Sequence, residues 1–303
     1  MKFTLSIPID TIEPSGEFQT GEALREMATA IERAGIDACF VTDHPAPTRA
    51  WRASPEGHDA LDPFSALSFV AAATQRLKVH ANVVVLPYRN PFIVAKAAST
   101  LQILSGGRLI MGVAAGYLRE EFEALGVDPS RRGALTDEAL ETLRAIWSGE
   151  PVTRQGIAFK AVEIMPRPIP LTSPPLWLGG GSEKAVARAA KYGDGWAPFF
   201  AWAGSSDAIA ESALTSMEEL RAKFDRLHDL RARAGRSGSF DLILAARHRL
   251  RPGTRDEADK YLESLSEMAR VGVTWTTVQL RARDRRSYIE RVQWFGEEVI
   301  ARL

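Results

Sequence analysis

Apolar positions along the chain fall into two patterns that take turns from end to end. Eight short runs are apolar with little alternation: "FTLSIPI" (3–9), "DACFVT" (37–42), "LKVHANVVVL" (77–86), "RLIMGVAA" (108–115), "PLWLG" (175–179), "GWAPFF" (195–200), "DLILAARHRL" (241–250) and "TWTTVQL" (274–280). Runs of this kind predict strands covered on both faces. Between them the apolar spacing is helical, as in "GEALREMATAIERAG" (21–35), which Gly35 closes, "PFSALSFVAAAT" (63–74) and "NPFIVAKAASTLQILSGG" (90–107). Further helical stretches end at Trp147 and cover 183–193, 216–235, 255–272 and 284–302. One segment, "EPVTRQGIAFKAVEIMPRPIP" (150–170), breaks the rhythm and predicts a hairpin around Gly156 with a proline-rich exit.

Eight βα units in succession close naturally into a (β/α)8 barrel, because parallel crossovers are right-handed. A doubly wound open sheet is the alternative topology. No linker, low-complexity tract or short repeat divides the chain, so residues 1–303 are expected to form a single domain with an insertion at 150–170.

A barrel carries its chemistry at the C-terminal ends of its strands, which turns the strand reading into a set of candidates. Strand 2 delivers Asp43 and His44; strand 3 passes His80, Asn82 and Val83 and ends at Tyr88 and Arg89. Strand 4 delivers Ala115, Gly116 and Tyr117, and strand 5 delivers Gly180, Gly181 and Ser182. Strand 6 ends at Phe199, Phe200 and Trp202, and strand 7 carries Arg247, His248 and Arg249.

The corner "GGGS" (179–182) has two readings. Bare glycines ahead of a helix N-terminus let a phosphate meet free N–H groups; equally, this is a tight turn with a serine cap. His44 is either a structural hydrogen-bonder or, with Asp43 beside it, an acid/base group. The long segment 45–62, with Trp51 and His58, reads as a lid over a pocket or as a surface excursion. "LREEFEALG" (118–126) reads as a solvated helical face, with Glu120 and Glu121 weak acid/base candidates. The five histidines are scattered and show no metal-ligand spacing.

Composition narrows the function classes. Lysine plus arginine and aspartate plus glutamate each total 38, so the formal charge is zero and no general attraction to nucleic acid or an anionic membrane is expected. The single cysteine, Cys39, lies inside an apolar run and reads as a small buried hydrophobe in a reducing, cytoplasmic compartment. No segment approaches the ~20 continuous apolar residues of a membrane span, and the N-terminus lacks a signal-peptide pattern.

Three stretches together resemble the bacterial luciferase-like superfamily, and within it the F420-dependent oxidoreductase branch. They are "TDH" after strand 2, "VVVLPYRNPFIVAKAASTLQILSGGRLIMGVAAGYLREEFEALG" (83–126) and "PPLWLGGGSEKAVARAAKYGDGW" (174–196). The resemblance spans most of the first 200 residues. It implies a luciferase-like (β/α)8 barrel that binds coenzyme F420, or alternatively FMN, at the strand C-termini, in a homodimer; the apolar character of helices 63–74 and 90–104 makes them candidates for its interface.

Carried over by position, Asp43 and His44 would lie beside the reactive ring, with His44 the proton donor or acceptor. Asn82–Val83 would form a non-proline cis peptide against the ring. Ala115 and Gly116 would line it, Gly180, Gly181 and Ser182 would hold the phosphate, and Trp51, Tyr117, Phe199 and Trp202 would shape a substrate pocket. Where some members carry an acid/base glutamate just after the strand-4 glycine, this chain has Tyr117.

Three functional readings follow. The first is F420-dependent hydride transfer with a small organic molecule. The second is FMN-dependent oxygenation, and the third a flavin-binding barrel without turnover. A phosphate-binding aldolase or isomerase fits less well: no strand ends on a lysine placed for a Schiff base, and Lys78 begins its strand.

Overall fold

A computed structural model describes residues 1–9, 17–201, 205–246, 248 and 250–303; Trp202, Arg247 and Arg249 lie outside the described residues. The strands are β1 (Lys2–Ser6), β2 (Ala38–Val41), β3 (Lys78–Val85), β4 (Leu109–Ala114), β5 (Val152–Gln155), β6 (Lys160–Ile164), β7 (Leu176–Gly179), β8 (Gly195–Ala197), β9 (Asp241–Ala245) and β10 (Trp275–Val278). The α-helices are α1 (Gly21–Arg33), α2 (Arg49–Arg52), α3 (Pro63–Ala73), α4 (Pro91–Leu104), α5 (Arg119–Ala124), α6 (Arg132–Ser148), α7 (Glu183–Tyr192), α8 (Asp207–Ala210), α9 (Met217–Arg233), α10 (Arg255–Arg270) and α11 (Arg285–Glu298).

The barrel runs β1-β10-β9-β8-β7-β4-β3-β2 and closes on itself, so the open-sheet alternative is excluded. The closing pair is parallel, with Lys2 opposite Trp275 and Leu5 opposite Val278. The eight runs read as strands are the eight barrel strands, and 150–170 holds the expected antiparallel hairpin β5–β6. Its turn at Gly156 is closed by the Gly156 N–H donating to Phe159 O.

Strands run shorter than the apolar runs. β8 stops at Ala197, and Phe199 and Phe200 beyond it carry the chain sideways, the Phe199 carbonyl accepting from Leu214 N. β9 likewise stops at Ala245.

Large side chains fill the barrel interior below the mouth. Ile110, Trp177, Ile243 and Trp275 pack together there, with the His80 ring edge-on to Trp177 at 4.8 Å. The strand beside Trp177 must leave it space: a Cβ built on Gly195, the first residue of β8, would sit 2.5 Å from the indole. Just before it, Asp194 accepts from Arg144 Nη2 at 2.7 Å and from Leu176 N at 2.9 Å, fastening the entry to β7.

The opposite, N-terminal end of the barrel is held by Arg108. Its guanidinium donates to the carbonyls of Ala71, Leu77 and Ser105 at 2.6–2.8 Å and to Thr74 Oγ1 at 3.0 Å. The "LSGGR" stretch is therefore a clamp on the face remote from the mouth, where polar residues serve stability rather than chemistry. Cys39 is fully buried and burial pushes its thiol up to about 12, as befits a small core residue.

Candidate active site

At the mouth, small residues end the strands. Ser6, Thr42, Ala114, Gly179, Ala197 and Thr277 are all half-buried, directly above the large side chains of the interior. Val83 reaches the same level: a Cβ built on Gly179 would lie 3.5 Å from Ala114 Cβ and 3.6 Å from Val83 Cγ1. These small residues therefore form one layer beyond the aromatic rings of the interior. The Asn82–Val83 peptide bond is cis, and the β3–β4 register shifts between Ala81 and Val84. Gly116, at φ +80°, follows β4; a Cβ there would come 2.6 Å from Val85 Cγ1.

Asp43 is buried on the rim and fully engaged. Arg89 grips it with two hydrogen bonds, Nη1 to Oδ2 at 2.6 Å and Nη2 to Oδ1 at 2.8 Å, and Val85 N donates to Oδ2 at 3.1 Å. A bidentate pair of this kind fixes both side chains. Asp43 thus braces the rim; its two oxygens already have partners.

His44 stands beside it, with a partner that local sequence pattern does not announce. Its Nδ1 lies 3.3 Å from Glu121 Oε2. The charged run around Glu121 predicts a solvated face, but this side chain is 1% exposed. The helix α5 turns Arg119, Glu120 and Glu123 to solvent while Glu121 and Phe122 face inward. Glu121 Oε2 also accepts from the Tyr88 hydroxyl at 3.0 Å, and Oε1 accepts from Ala46 N at 3.1 Å. Burial acts to raise the Glu121 pKa, but the hydrogen bonds from His44, Ala46 and Tyr88 outweigh it and hold the carboxyl below its ordinary value. Tyr88 is pushed up, first by burial and then by the neighbouring Glu121 charge, so it remains a donor.

The segment after β2 folds over His44. Trp51, on α2, lies against the imidazole with ring centroids 4.3 Å apart, and His58 meets it edge-on at 4.8 Å. Trp51 is buried, yet its Nε1–H has no acceptor among the described residues; the Tyr117 phenol approaches without completing a hydrogen bond of good geometry. A cleft of about 330 Å³ opens here, lined by Trp51, Tyr117, Leu118, Glu56 and Ser206 among others. Ser206 donates to Glu56 through both N–H and Oγ, tying the connection after β8 to the one after β2. Of the expected pocket residues, Trp51 and Tyr117 come together here, while half-buried Phe199 leads the chain away from β8.

His80, by contrast, lies below this layer. Its Nδ1 is 3.2 Å from Thr4 Oγ1 and it is buried.

The glycine corner is built differently from the simplest expectation. Gly180 N donates to Ala197 O at 3.2 Å and Gly181 N to Ser212 O at 2.7 Å, so neither amide is free. Ser182 caps α7, accepting from Ala185 N at 3.3 Å. The N–H groups of Glu183 and Lys184 in the first turn have no intrahelical acceptor, and they are the ones a phosphate would meet. Lys223, from α9, reaches the same corner by donating to Gly181 O at 2.6 Å, and Trp196 Nε1 donates to Gly180 O at 2.7 Å. Among the described residues no cluster of three or more His, Cys, Asp or Glu side chains is placed to hold a metal, and no helix is long and apolar enough to cross a membrane.

A parallel eight-stranded barrel with a histidine–carboxylate pair and a layer of small residues at its mouth is the architecture of a barrel enzyme. The chain belongs to the luciferase-like monooxygenase family, whose sequence profile matches residues 1–296. It is an enzyme of the oxidoreductase and monooxygenase class that this family comprises.

A relative from Beutenbergia cavernae, described as an F420-dependent glucose-6-phosphate dehydrogenase, is 32% identical over 200 residues, 64% of this chain and 57% of its own length. Among solved structures, the monooxygenase RslO1 from Streptomyces bottropensis superposes with a TM-score of 0.80 at 17% identity, covering 100% of this chain and 99% of its own. An F420-dependent secondary alcohol dehydrogenase, solved with an F420-acetone adduct, gives 0.76 at 18% identity, covering 99% and 98%. At these identities the two structures establish the fold.

Proposed function

We propose that this protein is an F420-dependent oxidoreductase that moves a hydride between the deazaflavin and the oxygen-bearing carbon of a small organic molecule. The observation that carries the reading is the His44–Glu121 pair at the strand ends, with Trp51, which lines the adjacent cleft, packed against the imidazole. An imidazole held by a carboxylate is suited to proton exchange with a substrate oxygen. A carbonyl or hydroxyl oxygen bound beside the imidazole would take a proton from it or give one to it.

The residues present fit the cofactor. The small residues Val83, Ala114 and Gly179, which lie together at the strand ends, would take the face of a flat ring system, with Asn82, Ala115 and Gly116 beside it, and the N–H groups in the first turn of α7 would meet a phosphate group. When bound, the deazaflavin supplies the hydride donor or acceptor. His44 gives a proton to the substrate oxygen or takes one from it, Trp51 and Tyr117 wall the cleft, and the strap joined by Glu56 and Ser206 limits access of water.

The test is a fluorescence titration of the purified protein with F420 and, separately, with FMN. Tight F420 binding and weak FMN binding are expected, followed by F420-coupled turnover on a panel of alcohols and ketones. The reverse preference would refute hydride transfer and favour the flavin monooxygenase reading. Loss of turnover on His44→Ala, with cofactor affinity retained, separates an enzyme from a passive flavin carrier.

The same reading includes a homodimer. The helices α3 and α4 are apolar nearly all round, and Phe69 (60% exposed), Ile93 (65%) and Leu104 (76%) leave an outer apolar face that a second copy would cover. Light scattering on the eluting protein should give twice the chain mass of 33.2 kDa; a monomer would refute it.

A further inference from the structure

The geometry points to Glu121 as the positioning residue that sets which nitrogen of His44 exchanges the proton. The inference rests on the reading of His44 as the acid/base group. An ionised carboxylate only accepts hydrogen bonds. Nδ1 of His44, 3.3 Å from Glu121 Oε2, therefore carries the hydrogen in the neutral ring, and Nε2 holds the lone pair. The proton exchanged with substrate then moves at Nε2, on the side of the ring away from Glu121.

Glu121 can impose this because its two oxygens have different duties. Oε1 is tied to the Ala46 N–H at 3.1 Å, while Oε2 receives His44 and the Tyr88 hydroxyl at 3.0 Å. The carboxylate cannot turn without losing a backbone donor. Trp51 and His58, whose ring centroids lie 4.3 and 4.8 Å from the imidazole and 5.1 Å from each other, crowd it and hinder its turning. The groups facing His44 are thus Glu121, His58, Trp51 and Tyr117, with the Asp43–Arg89 pair adjacent in the chain and on the rim.

The asymmetry makes a specific prediction for Glu121→Gln. A glutamine keeps its carbonyl oxygen on the Ala46 N–H, because that backbone group can only donate, whereas the Tyr88 hydroxyl can rotate to accept from the amide. Its NH2 group then occupies the Oε2 position and donates to His44 Nδ1 and to the Tyr88 hydroxyl. The neutral imidazole has to accept there, and the hydrogen moves to Nε2. The variant is nearly isosteric, so the fold is retained while the tautomer inverts. Tyr88→Phe removes one partner of Oε2 but leaves the carboxylate, and the tautomer stays as in the parent.

The measurement is 1H–15N correlation NMR on protein labelled with 15N-histidine, without cofactor, at a pH where the ring is neutral. His44 signals are assigned by their disappearance in His44→Gln. The expected result is Nδ1–H in the parent and in Tyr88→Phe, and Nε2–H in Glu121→Gln. An Nε2–H parent, or a Glu121→Gln variant with native near-UV circular dichroism that keeps Nδ1–H, overturns the inference. Failure of both F420 and FMN to bind would sink the functional reading instead and leave this result standing.

Discussion

His80 should make this protein lose stability on acidification well before its carboxylates protonate. The ring is buried in the barrel, bonded only through Nδ1 to Thr4 Oγ1, and its Nε2 has no partner among the described residues. Burial pushes its pKa down from 6.5 to about 3. The sign follows from linkage: the unfolded chain takes up a proton at about pH 6.5 that the folded protein refuses until about pH 3. The contribution is fully present above the unfolded value and is lost as pH falls toward the folded one.

Between pH 7 and pH 5 the loss is about 2 kcal/mol for an unfolded pKa of about 6.5, and any folded value below about 4 gives the same figure. The assay is reversible urea unfolding at both pH values, on the parent and on His80→Leu. The variant removes the titration, so its own drop between the two pH values should be smaller by about 2 kcal/mol, whatever its absolute stability. Equal drops in the two proteins would refute the argument.

Asp43→Ala should cost about 3 kcal/mol in urea unfolding, because it removes both hydrogen bonds from a largely buried Arg89, leaving it Asp62 at 3.7 Å, and strands the Val85 N–H; Arg89→Leu added to it should recover part of the loss. Gly116→Ala should destabilise by about 1–3 kcal/mol, since φ is +80° and the new Cβ would lie 2.6 Å from Val85 Cγ1, and thermal melting reads the difference. Ser182→Ala should cost about 1 kcal/mol through loss of the α7 cap, with weaker cofactor binding in the same titration; unchanged affinity would place the phosphate elsewhere.

The barrel was legible because its information is local. Each strand is an apolar run that reports its own burial, and turn residues such as Gly35 and Gly156 punctuate the chain where periodicity changes. Strand ends were less legible, since Phe199 and Phe200 are as apolar in a connection as in a strand. The site divides along the same line. Asp43, His44 and Gly116 could be placed from strand ends, but Glu121 sits in a run of charges whose other members are solvated.

What buries Glu121 lies elsewhere in sequence: Tyr88 is 33 residues away, Ala46 75 and His44 77. A carboxylate recruited by three distant donors leaves no periodic trace in its own helix. Gly180 and Gly181 show the converse. Their glycines signalled close approach, and close approach occurs, but by the Ser212 carbonyl and Ser212 side chain rather than by free amides awaiting an anion. Sequence pattern thus located the mouth and the corner, whereas the partners that decide each group's chemistry come from contacts made only when the barrel closes.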